Sequence, residues 1–94
     1  MMIDNPKYIE ACSLMSEILY RNGGKACYLT KMTQDYIDRL DFPELIRDNH
    51  GGRLLPGTLY VIVTCPNDYR YYVNVSGDSV LTMCAEVLNF IQGK

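Results

Sequence analysis

Residues 59–75 constrain the fold more than any other stretch. Leu59-Tyr60-Val61-Ile62-Val63-Thr64-Cys65 is rich in β-branched and aromatic residues, the types that suit a pleated strand. Pro66-Asn67-Asp68 follows with turn chemistry, and Tyr69 to Val75 alternates again. The two runs form a β-hairpin with a three-residue loop. The loop sets the register: Cys65 faces Tyr69, Val63 faces Tyr71, Val61 faces Val73 and Leu59 faces Val75. That face is apolar throughout and has to meet the rest of the core. The opposite face carries Tyr60, Ile62, Thr64, Arg70, Tyr72 and Asn74.

Helical spacing flanks the hairpin on both sides. Asp4-Asn5-Pro6 is a helix start, since Asp4 or Asn5 can cap free N–H groups and proline fits the first turn. Tyr8, Ala11, Cys12, Met15, Ile18 and Leu19 then recur at three-and-four spacing, and Asn22-Gly23-Gly24 ends the element. A first helix is expected over about residues 5–21. At the other end, Asp78 is the expected cap. Val80, Cys84, Val87, Leu88 and Ile91 form the apolar stripe, Leu81 and Ala85 widen it, and Gly93 stops it.

The middle is less determined. Ala26, Leu29, Met32, Tyr36, Ile37 and Leu40 fit a helical stripe, yet Cys27-Tyr28-Leu29-Thr30 also reads as a short strand. Residues 25–32 stay open between the two, and a helix is expected over 33–40 with Thr33 as a possible cap. Asp41-Phe42-Pro43-Glu44 has the spacing of a capping box, which predicts a short helical segment over Pro43–Asp48. Together these elements predict an α+β fold, a single domain over residues 1–94. N- and C-terminal helices pack on a small antiparallel sheet built around the hairpin at about residues 58–76, with a further helical segment in the middle.

Composition narrows the functional classes. Of 94 residues, 48% are hydrophobic, which is enough for a core and argues against disorder. Nine basic and eleven acidic residues are scattered along the chain, so the basic footprint of a nucleic-acid binder is missing. The opening Met1-Met2-Ile3-Asp4-Asn5-Pro6 lacks the basic and apolar regions of a signal peptide. No apolar run is long enough to span a bilayer. The four cysteines, Cys12, Cys27, Cys65 and Cys84, follow neither a disulfide-scaffold nor a zinc-site spacing. Four free thiols, a cytoplasmic location, no membrane, no metal and no cofactor are therefore expected.

Two constellations merit weighing. On the hairpin's outer face, Tyr60, Ile62, Arg70 and Tyr72 are of the types enriched at binding hot spots, and a solvated face is normally more polar. A partner protein, a second copy in a homodimer, or another part of the chain would cover such a face. The second constellation is the loop Arg47-Asp48-Asn49-His50-Gly51-Gly52-Arg53. Asp48, His50 and Arg53 could together hold a small ligand or nucleotide, and His50 beside a carboxylate could act in hydrolysis. The loop matches no glycine-rich nucleotide fingerprint, and turn chemistry alone explains its residues. Cys65 and Arg70 lie one position too close for a cysteine-phosphatase loop. Asp35, Asp38 and Asp41, beside Arg39, read as a solvated helix face.

The sequence thus points to a non-catalytic protein–protein interaction protein: a regulator, adaptor or inhibitor that masks a partner surface sterically. A product of a phage or other mobile element that blocks a host system fits the size and the residue content. The alternative is the small ligand binder built on Asp48, His50 and Arg53.

Overall fold

A computed structural model of the protein describes residues 6–75 and 79–92. The elements run α1 (Pro6–Arg21), β1 (Ala26–Lys31), α2 (Gln34–Asp38), a 3-10 turn (Pro43–Leu45), β2 (Leu59–Thr64), β3 (Arg70–Asn74) and α3 (Val80–Gln92). The three strands form one antiparallel sheet in the order β1-β2-β3. This is the expected α+β arrangement, and the open stretch at 25–32 resolves as a strand. Gly24 makes that possible. Its φ of 70° is left-handed, and its N–H bonds to the carbonyl of Tyr20 at 2.7 Å. The glycine ends α1 and sends the chain back along it.

The hairpin register agrees with the sequence. Val61 pairs with Val73 and Val63 with Tyr71. The backbone bonds Cys65 N–H to Tyr69 O at 2.8 Å and Val75 N–H to Leu59 O at 3.0 Å fix the two ends. The loop closes through Asp68, whose N–H bonds to Cys65 O at 2.9 Å and whose φ is 68°. Three-residue hairpin loops place a left-handed residue at this point, usually glycine. Asp68→Gly should raise stability by ~0.5–1 kcal/mol, because the left-handed conformation is strained for a residue with a Cβ. Urea denaturation will show it as a higher midpoint at unchanged slope. An unchanged or lower midpoint would mean that Asp68 carries no such strain.

Each sheet face has its own core. Leu59, Val61, Val63, Val73 and Val75 pack against Tyr8, Ala11, Cys12, Met15 and Leu19 of α1 and Met83, Val87 and Ile91 of α3. The helical stripes are narrower than expected. Ile18 is 43% exposed and Leu81 81% exposed, Ala85 is also exposed, and Met83 is fully buried. Positions 80, 83, 84, 87, 88 and 91 make the stripe that meets the sheet, so Leu81 and Ala85 fall outside it. Ser79 serves the start of α3, its Oγ accepting from Thr82 N–H at 3.2 Å. The expected caps Asp4, Asn5 and Asp78 and the stop at Gly93 lie outside the described residues.

On the opposite sheet face the cover is another part of the chain, one of the three possibilities left open by the sequence, and not a partner surface for Tyr60, Ile62 and Tyr72. Tyr60, Ile62 and Tyr72 are at most 3% exposed. They form a second core with Met32 and Leu54, closed by Tyr36, Ile37, Leu40 and Ile46. The connector from Met32 to Thr58 folds back across the sheet and covers this face. Its helical content is lower than expected. The helix predicted over 33–40 is the five-residue α2, with Thr33 Oγ1 as its cap on Tyr36 N–H. The segment predicted over Pro43–Asp48 shrinks to the 3-10 turn at Pro43–Leu45. No capping box forms, since Phe42 occupies the cap position in a left-handed conformation without a side-chain bond. Ile46 is already extended. From there the chain runs to the edge of β3, where Asp48 bridges Tyr72 in parallel.

Candidate functional site

The hairpin residues singled out in the sequence stay together, but as a sealed cluster. Tyr72 and Tyr36 share a hydroxyl–hydroxyl bond of 3.1 Å. Their rings meet edge to face at 6.4 Å, and Tyr60 meets Tyr72 likewise at 6.5 Å. The Tyr60 hydroxyl accepts from Leu55 N–H at 3.2 Å. Burial pushes the phenols of Tyr60 and Tyr72 above their ordinary range, because the tyrosinate would lose its hydration. Arg70 is the one member at the surface. Its Nη1 donates to Tyr36 Oη at 3.2 Å, and the Tyr36 hydroxyl beside it raises the guanidinium further.

The alternative loop is dispersed. Asp48 Oδ1 accepts from His50 N–H at 2.8 Å and Gly52 N–H at 3.0 Å, so this carboxylate braces its own turn. His50 lies against α3, with Nε2 3.3 Å from Glu86 Oε1. Asn49 ties the loop down: its Nδ2 donates to Glu86 Oε1 at 2.6 Å and its Oδ1 accepts from Asn74 N–H at 2.7 Å. Arg53 is exposed and borders neither of the clefts that flank the loop.

The larger of these clefts, about 720 Å³, lies between the β3 edge and the connector. Tyr69, Tyr71 and Phe90 form an aromatic wall with ring spacings of 4.9 and 6.0 Å. Both bordering guanidinium groups are engaged internally. Arg47 Nη1 donates to the carbonyls of Glu44 at 2.6 Å and Ile46 at 3.0 Å, and Arg70 is held by Tyr36. A ligand entering here would have to compete for them.

All four cysteines are free. Cys27 Sγ donates to the Cys12 carbonyl at 3.4 Å. The neighbouring Cys12 thiol, with burial, pushes the Cys27 thiol well above its ordinary range, so it is a poor nucleophile. Among the described residues no group of three His, Cys, Asp or Glu side chains could hold a metal ion. Nor is any of their helices long and apolar enough to cross a membrane.

The surface that sequence reasoning missed lies on the helices. A groove of about 490 Å³ runs between α1 and α3. Its floor includes Ala11, Met15 and Cys84, and Leu14, Ile18 and Leu81 rise from its sides. These three are 61%, 43% and 81% exposed. Lys7 and Glu10 supply charge at the rim. The available signal was the extra width of both apolar stripes: Leu14 and Ile18 stand four apart, and Leu81 sits beside the stripe that packs. Against known proteins the chain matches no family model, no curated protein and no solved structure.

Proposed function

We propose that this chain is a small non-catalytic protein–protein interaction protein whose contact surface is the α1–α3 groove. It acts in the cytoplasm as a regulator, adaptor or inhibitor by sterically masking a partner's surface, and a mobile-element product that blocks a host system would work this way. The observation that supports the reading is the cluster of Leu14, Ile18 and Leu81 exposed around an apolar floor. Contiguous apolar surface of this kind marks contact sites. A partner would set an apolar side chain into the groove and meet Lys7 and Glu10 at its edge.

The test is affinity capture from the native cell with wild type beside Leu81→Asp. Leu81 contributes little to the core, so circular dichroism and urea stability should be unchanged within ~0.5 kcal/mol. Partner affinity should fall by roughly 10–100-fold, as expected for a charge placed at an apolar anchor. If a captured partner stays bound to folded Leu81→Asp, the groove is not the contact surface.

A further inference from the structure

The two edges of the sheet differ. At β3, the Asp48–Tyr72 bridge and the Asn49 side chain on Asn74 N–H engage outward backbone groups of Tyr72 and Asn74. At β1 no strand covers the outer side among the described residues. Odd-numbered residues of β2 bond towards β3, as the Leu59 and Cys65 bonds show. Even-numbered ones therefore bond towards β1, as Thr58 O does with Met32 N–H at 2.8 Å. In the β1–β2 register, Tyr28 and Thr30 then bond to β2, and Cys27, Leu29 and Lys31 turn their N–H and C=O groups outward. Cys27 N–H is satisfied within the chain by Ser16 Oγ at 3.1 Å. The Leu29 and Lys31 N–H groups have no partner among the described residues.

We propose that β1 pairs antiparallel with β1 of a second copy of this chain, about a two-fold axis at Leu29, to give a continuous six-stranded sheet. The edge is complementary to itself in this register. Leu29 N–H meets Leu29 C=O of the copy, and Lys31 N–H meets Cys27 C=O of the copy, each twice by symmetry. Every free donor on the edge thus finds a carbonyl. The donor that is already spent, on Cys27, is the one that this pairing can omit at the strand end.

The flanking surface also permits self-pairing. In a two-fold interface, a charge near the axis meets its own like charge. The groove beside β1 is lined by Ile9, Cys12, Ser13 and Ser16 of α1 with Cys27, Tyr28 and Leu29, and none of these carries a charge at neutral pH. Ile9 and Tyr28 are 51% and 46% exposed, which leaves apolar area to bury. Ser13 and Ser16 are small enough for a second α1 to come close. Lysine on an edge strand normally blocks pairing. Lys31 stands at the end of β1, away from the axis, so it does not oppose its own copy.

The proposal is tested by sedimentation of the full chain with amide hydrogen exchange. Wild type should reach twice its 10.8 kDa mass at concentrations on the order of 10–100 μM. In that species the Leu29 and Lys31 amides should be protected, and dilution should release them. Lys31→Pro removes an outward donor that β2 does not use, which an edge strand tolerates. Ser13→Arg places like charges across the axis from an exposed helix position, and it serves if the proline variant does not fold. Each should weaken association at least ~10-fold, while Leu81→Asp leaves it intact. Three results would overturn the proposal. They are a single-chain mass throughout, a two-chain species whose Leu29 and Lys31 amides exchange freely, and a dimer broken by Leu81→Asp but not by Ser13→Arg.

Discussion

Tyr72→Ala is expected to cost ~3–5 kcal/mol of stability, the range for deleting a large buried aromatic side chain. Tyr72 is 3% exposed. It contacts Tyr36 and Tyr60 edge to face, and its hydroxyl bonds to that of Tyr36. Removing the ring empties the centre of the second core, which the irregular connector cannot refill. A domain of this size has about 5–15 kcal/mol in total, so much of the margin goes. Tyr72→Phe keeps the ring and loses one hydroxyl bond, at a cost of ~0.5–1.5 kcal/mol. Urea denaturation followed by circular dichroism measures both. If Tyr72→Ala keeps its midpoint within ~0.5 kcal/mol of wild type, the side chain is not buried as described.

The same cluster makes the protein fragile in alkali. Tyr60 and Tyr72 titrate above their ordinary value in the folded chain, chiefly through burial. In the unfolded chain both ionise near pH ~10. Below that pH both states hold the protons, and the stabilisation is fully present. Above it the unfolded chain releases protons that the folded chain keeps, so stability falls as pH rises towards the folded values. A phenol that is ionised in the unfolded chain and still protonated in the folded one contributes at most ~1.4 kcal/mol per pH unit. Unfolding free energies from about pH 9 to about pH 11 give the slope, and tyrosinate absorbance reports which phenols ionise. Tyr72→Phe should make the fall with pH shallower. A slope that is the same in this variant as in wild type would show that Tyr72 titrates normally.

The hairpin was legible because its information is local. A three-residue loop with β-branched flanks leaves one register, and Val61, Val63 and Val73 are core in that register. Helix α1 was legible for a similar reason, through its spacing and Gly24. What covers Tyr60, Ile62 and Tyr72 was not legible, because the cover has no period. Met32, Leu40, Ile46 and Leu54 come from separate turns of an irregular connector, and periodicity identifies only regular elements. A clue was present. Leu59 to Val63 is continuously apolar, which is how a strand buried on both faces reads. The Asp41 capping box failed for a tertiary reason: the chain has to leave the helical path at Ile46 to reach the β3 edge. In the loop at 47–53 turn chemistry was legible in the glycines and Asp48, whose carboxylate braces the turn. The helical groove went unread because both stripes were assigned wholly to the core.

The unequal edges of the sheet also set a limit on growth. A protein whose sheet can accept a strand at both margins adds chain after chain, and fibres follow when expression is high. Here the connector lies along one margin, bridging Tyr72 from Asp48 and holding Asn74 through Asn49. Among the described residues the β1 margin is the more open of the two, and once two such margins meet, that route is used up. The stretch from Asp48 to Asn49 thus hinders a strand from adding at that margin. A chain that lost the Asn49 anchor would be the one to watch for insoluble aggregates.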